Sequence, residues 1–158
     1  MEFTELPLGL PGQVFRSAMP LSQSYDPVGS IYQAYKEHNV HTIVMLAPDN
    51  EAVKRTGMDL QTRYQRDGFT VIYLPVTDFS APLLDELKAG VNSVRQALNA
   101  GHNTAVHCHA GIGRTGLFLA CLVKQVLHLT GDEAILWVRR YVPDAVETDE
   151  QRRLVELF

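Results

Sequence analysis

The chain has 158 residues, enough for one α/β domain with a real core and too few for two. Its 14 Lys and Arg stand against 18 Asp and Glu, and the net charge of −4 argues against nucleic acid or an anionic membrane surface as the main partner. No apolar run approaches the roughly 18 residues of a membrane span, and Met1–Glu5 lacks the basic-then-apolar pattern of a signal peptide, so a cytoplasmic protein is expected.

Residues 1–12 carry Pro7, Gly9, Pro11 and Gly12 and read as an irregular lead-in to a single domain spanning 1–158. Gln13–Arg16 is a short strand, followed by a loop from Pro20 to Pro27. Ser30–His38 has helical spacing, with Ile31, Ala34 and Tyr35 on one face, and His41–Leu46 is a buried strand. His38 and His41 lack cysteine or carboxylate partners at metal spacing and read as surface or turn residues. Glu51–Arg66 is charged throughout and reads as a solvated helix broken near Gly57. Thr70–Leu74 is a further continuous buried strand, and Asp78 lies in the loop just beyond it. Leu83–Ala100 is an amphipathic helix whose core set is Leu84, Leu87, Val91, Val94 and Leu98.

Thr104–Val106 is a short buried strand, and Leu117–Val126 is apolar and long enough for a buried helix, with Cys121 as a small core residue. The helix that begins at Gly131-Asp132 carries Ala134, Ile135, Val138 and Tyr141, with Trp137 as packing. Thr148 is placed to cap a last helix, with Gln151 completing a capping box. Strands alternating with helices predict a mainly parallel, mixed sheet of four to five strands covered by helices on both faces. Functional loops then collect at the carboxyl ends of the strands.

Chemistry concentrates between that last strand and the buried helix, in His107-Cys108-His109-Ala110-Gly111-Ile112-Gly113-Arg114-Thr115-Gly116. Five residues separate Cys108 from Arg114. A loop that short can curl its backbone N–H groups inward, and Gly111, Gly113 and Gly116 permit the tight or positive-φ geometry required. His109 to Gly113 then form an oxyanion cradle, closed by the planar donor fork of Arg114. Inward N–H groups and a helix N-terminus also stabilise a thiolate. A thiolate at the floor of such a cradle is a phosphoryl-accepting nucleophile. The departing oxygen needs a proton, and Asp78, on a loop at the same sheet edge, is the economical donor.

The run His107-Cys108-x5-Arg114-Thr115-Gly116 resembles the cysteine-dependent protein tyrosine phosphatase superfamily, and the similarity extends over roughly residues 13–158. The chain is most similar to the small atypical dual-specificity phosphatases. Arg16-Ser17-Ala18-Met19-Pro20 is similar to a segment near the start of many of them, with the arginine read as a brace between loops. The 30-residue spacing from Asp78 to Cys108 (108 − 78) is similar too.

The resemblance implies a two-step mechanism through a phosphocysteine, needing no metal or other cofactor. It implies that Thr115 supports the thiolate as leaving group and that His107 supports it through hydrogen bonds. Gln151 would help to place the hydrolytic water. Glu147 would serve as a second carboxylate, assisting water or substituting partly for Asp78. The implied substrates are phosphotyrosine and phosphoserine or phosphothreonine in proteins or peptides, with phosphate, sulfate and vanadate as loop ligands and a monomeric enzyme. A phosphoinositide, inositol phosphate or RNA 5′-triphosphate substrate is the alternative, although the loop carries no lysine. A phospho-binding pseudophosphatase is a further one, although Cys108, Arg114 and Asp78 are all present.

Overall fold

The computed structural model describes residues 2–158. Five strands form one sheet in the order β1-β2-β5-β3-β4, with β1 Phe3–Leu6, β2 Val14–Ser17, β3 Val40–Met45, β4 Thr70–Tyr73 and β5 Asn103–His107. β1 runs antiparallel to β2, and all other pairings are parallel. The mixed, mainly parallel sheet is thus as expected. β1 is the departure, because residues 3–6 were read as part of an irregular lead-in. Phe3 has little intrinsic signal in so short a run, but it stacks on Phe15 at 4.8 Å between ring centroids, and pairing with β2 supplies the backbone bonds.

Among the described residues there are seven helices: α1 Ser30–Glu37, α2 Asp49–Thr56, α3 Leu60–Arg66, α4 Leu84–Asn99, α5 Gly113–Leu127, α6 Gly131–Arg139 and α7 Asp149–Leu157. The break near Gly57 is real: this residue ends α2 with φ +77°, and Asp59 starts α3 by accepting a bond from Thr62 N–H. One apolar core joins α4, α5, α6 and α7 to one sheet face, around Val44, Val106 and Phe118. A second joins α1 and α3 to the other face, around Ile43, Tyr35 and Tyr64. β5 lies at the centre of the sheet and is buried along four of its five residues.

β4 corrects the expectation of a fully buried strand. It is one edge of the sheet, paired with β3 alone, which leaves Thr70 and Tyr73 exposed. In α4 the buried set is Leu87, Gly90, Val91, Val94 and Leu98, and Leu84 is only partly covered. Cys121 is fully buried in α5, and burial pushes its thiol up to about 12, so it stays an inert protonated core residue. No helix among the described residues is long and apolar enough to cross a membrane.

Candidate active site

β5 delivers Cys108 to the carboxyl edge of the sheet, and the chain turns into α5 within five residues. Gly111 makes that turn with φ +78°, and a Cβ there would run into the Ser17 carbonyl and the Arg16 guanidinium. Its N–H donates to Cys108 Sγ at 3.3 Å. Positive φ is confined to this one glycine of the loop. Gly113 and Gly116 lie in the first turn of α5, which begins before the apolar run and carries Arg114 and Thr115. At Gly113 smallness answers to close packing instead, since a Cβ would meet the Glu147 carboxyl.

Arg16 is buried beneath the loop, and its Nε and Nη2 donate to the Gly111 carbonyl at 3.1 and 2.6 Å, with Nη2 also reaching the Ala110 carbonyl at 3.2 Å. Binding these carbonyls from outside turns the opposite ends of their peptide units inward. Met19 N–H holds the His109 carbonyl at 2.8 Å in the same way. His109, Ala110 and Ile112 are partly exposed at the mouth.

His107 is fully buried and bonded at both nitrogens, Nδ1 to the Cys108 carbonyl at 2.9 Å and Nε2 to the Tyr64 hydroxyl at 2.9 Å. A carbonyl only accepts, so Nδ1 carries the hydrogen and Nε2 accepts from Tyr64. Burial lowers the ring to about 4, so it is neutral at pH 7. The unfolded chain takes up this proton near 6.5, and the folded chain only near 4. Between those values the unfolded state binds more protons, so acid favours unfolding. Stability is expected to fall by up to about 3 kcal/mol from pH 7 to pH 4 through this group, read from urea midpoints. The His107→Gln variant should show a shallower loss over the same window.

Arg114 is buried, and its guanidinium is held from three sides. Nη1 donates to the Val76 carbonyl at 2.8 Å and to Glu51 Oε1 at 3.3 Å; Nη2 reaches Glu51 Oε2 at 3.0 Å and Asp78 Oδ1 at 3.3 Å. Arg114 Nε and Thr115 Oγ1 are buried without a partner among the described residues. Glu51 escaped the sequence reading, which placed it on a solvated helix. The available signal was its place in the first turn after β3, at the sheet edge where the loops collect. Glu51→Gln breaks a charge-assisted pair with a buried arginine and is expected to lower stability by about 2 kcal/mol in urea unfolding.

Two carboxylates converge on this arginine-centred loop. Asp78 follows β4 and is part-exposed on a loop where Phe79 adopts φ +62° and donates its N–H to Asp78 Oδ1 at 3.0 Å. Asp78 does not cap α4, whose cap is Leu83 with no side-chain bond. Glu147 stands against Gly113, and its carboxyl is raised above the ordinary glutamate value by burial and then by the negative charge of Asp78. Gln151 is fully buried. Its Oε1 accepts from Glu147 N–H at 2.8 Å and Thr148 N–H at 3.3 Å, and its Nε2 donates to the Ser80 carbonyl at 3.2 Å. The expected capping box of Thr148 and Gln151 is present, and the same glutamine ties the Asp78 loop to the Glu147 segment. Among the described residues no three His, Cys, Asp or Glu side chains gather in a metal-binding arrangement.

A cysteine at the end of a central parallel strand, a tight glycine-containing loop and an arginine in the first helical turn are the features of the protein tyrosine phosphatase superfamily, and the chain falls among its small atypical dual-specificity members. The chain belongs to the Tc-R-P family, described as a polymorphic toxin system DSP-PTPase phosphatase, which it matches over residues 18–127. It is 30% identical over 142 residues to protein tyrosine phosphatase domain-containing protein 1 of Bos taurus, covering 81% of this chain and 17% of that protein. It is 29% identical over 154 residues to tyrosine-protein phosphatase cdc-14 of Caenorhabditis elegans, covering 93% and 20%. The chain thus spans about a fifth of the length of the curated relatives it matches. Among solved structures, Tk-PTP in its active form superposes with a TM-score of 0.80 at 25% identity, over 98% of this chain and 95% of that one. A kinase associated phosphatase carrying a substitution of its catalytic cysteine superposes with a TM-score of 0.87 at 20% identity, over 98% and 92%.

Proposed function

We propose that this protein is a metal-independent phosphatase acting on phosphotyrosine and on phosphoserine or phosphothreonine in proteins, through a phosphocysteine. The observation that carries the reading is the Cys108 thiol under the Gly111 N–H, with Arg114 closing the loop and Asp78 and Glu147 beside it. In the first step the Cys108 thiolate attacks phosphorus in line. The loop amides of His109 to Gly113 and Arg114 hold the equatorial oxygens, with the unpartnered Arg114 Nε as the side-chain donor. Asp78 protonates the leaving oxygen.

In the second step a water attacks the phosphocysteine, the S–P bond breaks, and the water's proton passes to Asp78 or Glu147. The thiolate departs with support from the otherwise unpartnered Thr115 hydroxyl. His107 positions Cys108 through its carbonyl. Gln151 has one Nε2 hydrogen left for that water, and its other bonds fix the two carboxylate segments. The nucleophile, the charge stabilisation and the proton donor are all side chains or backbone of this chain, so the cycle closes without a cofactor. A reactive thiolate persists in a reducing compartment, which supports a cytoplasmic site of action.

The test is hydrolysis of a phosphotyrosine peptide, a phosphothreonine peptide and a phosphatidylinositol monophosphate, with EDTA and a thiol reductant present. Turnover of both peptides in excess of the lipid is the expected result. Turnover of the lipid alone would transfer the same chemistry to a phosphoinositide substrate, and loss of all activity in EDTA would overturn the metal-free mechanism.

A further inference from the structure

α2 presents two charged residues one helical turn apart, Glu51 and Arg55, and an i, i+4 pair lies on one helix face. Their usual partnership is absent, because Glu51 is committed to Arg114 through both carboxylate oxygens. Arg55 lies one turn along the same helix face, near enough to His109 of the phosphate loop for its charge to act on that ring. It makes no ion pair and no side-chain hydrogen bond among the described residues, although its Nε is buried.

Two further observations fix what surrounds it. The Arg55 carbonyl accepts from Gln23 N–H at 3.1 Å, so the end of α2 is stitched to the β2–α1 loop. Tyr25 on that loop sets its ring edge-on to His109 at 5.0 Å between centroids and remains partly exposed. His109 belongs to the phosphate loop, and the Arg55 charge helps to hold its ring neutral, after burial. His109 Nε2 is itself buried without a partner. Acidic groups share the mouth: Asp78 and Glu147 are close enough to influence one another, and Glu51 and Asp78, both held by Arg114, also act on His109.

We propose that Arg55, with the Tyr25 and His109 rings as its walls, is a subsite for one acidic side chain next to the phosphorylated residue of a peptide substrate. This assignment rests on the phosphoprotein reading above. A buried arginine nitrogen without a partner carries an uncompensated desolvation cost, which a carboxylate relieves by a charge-assisted, two-pronged bond. Glu51 and Asp78 are already paired with Arg114, which leaves Arg55 as the cation open to such a carboxylate, and the nearby Asp78 and Glu147 disfavour a substrate studded with several phosphates. Arg55 is thereby a specificity residue: it touches the neighbour of the reacting group, and the reacting phosphoryl belongs to Arg114.

The experiment compares kcat/KM for matched phosphopeptides that differ only in Asp against Asn at the positions flanking the phosphorylated residue, using wild type, Arg55→Gln and Arg55→Lys. A small aryl phosphate reports on the wild-type chemistry alone. Wild type should favour the Asp peptide about tenfold at one flanking position, a preference that weakens as salt is raised. Arg55→Gln should bring the Asp/Asn ratio to near one, and Arg55→Lys should restore part of it. The ratio is independent of any general loss of activity through misfolding. Equal rates on both peptides in wild type, or an unchanged ratio in Arg55→Gln, overturns the subsite while leaving the phosphoprotein reading intact. Aryl phosphate turnover with no turnover of any peptide overturns both.

Discussion

Replacing Cys108 by serine is expected to remove turnover, by a factor on the order of 10⁴ to 10⁶ in kcat. The sulfur lies at the base of the loop and accepts the Gly111 N–H. Serine retains the shape and an acceptor for that bond, but its hydroxyl is a far weaker nucleophile without a base beside it. His107 cannot supply one, since its nitrogens are spent on the Cys108 carbonyl and the Tyr64 hydroxyl. The variant should keep its thermal midpoint and still bind vanadate or phosphate, because Arg114 and the loop amides are untouched. Rates are measured with EDTA and reductant present, and binding by competition or calorimetry. Residual activity above about one part in a thousand would move the nucleophile elsewhere.

The second large effect separates the two carboxylates. Asp78→Asn is expected to slow phosphoenzyme formation by about 10²- to 10³-fold on a phosphothreonine peptide and far less on para-nitrophenyl phosphate. An alkoxide cannot depart without a proton, whereas nitrophenolate can. Glu147→Gln should instead slow the second step, so that a burst of the first product precedes a lower steady state. Glu147 is held above the ordinary glutamate value by burial and by Asp78, so its basic form is lost at a higher pH than that of an exposed glutamate. The acid limb of kcat should accordingly flatten in Glu147→Gln. If Asp78→Asn leaves the phosphothreonine rate unchanged while Glu147→Gln lowers it, the assignments are reversed, with the protonated Glu147 as the acid.

Local signals carried most of the element order. The periodicities over 30–38 and 83–100 and the apolar runs at 41–46, 104–106 and 117–126 match observed elements within a few residues. β1 was missed because an edge strand of four residues owes its existence to its neighbour: Phe3 is ordered by Phe15, and its ladder is completed by β2. β4 was read as buried because five apolar or β-branched residues in a row carry no information about which strand lies at the edge. The start of α5 was placed too late because Gly113–Gly116 is poor in helix formers, and the first turn is held instead by Arg114, the Glu147 carboxyl and the Ala145–Val146 backbone.

The site divides along the same line. The proposed anion loop from Cys108 to Arg114 is legible in the sequence because it is made by contiguous residues, and spacing along the chain is then the same thing as geometry. Asp78 was legible more weakly, since its strand ends at the same sheet edge. Glu51, Arg16 and Tyr64 act on the loop from three other elements, as the partners of Arg114, the loop carbonyls and His107. Arg16 is marked in the sequence as a brace between loops by the Arg16-Ser17-x-x-Pro20 segment, and Glu51 only by its place in the first turn after β3, whereas nothing marks Tyr64. Their roles exist only because the order β2-β5-β3-β4 places β5 between strands that come before it in the chain. The nucleophile and its anion cradle are therefore written in one short contiguous run, whereas the convergence of Asp78, Glu147, Glu51 and Tyr64 on that run was decided by packing, which spacing along the chain does not encode.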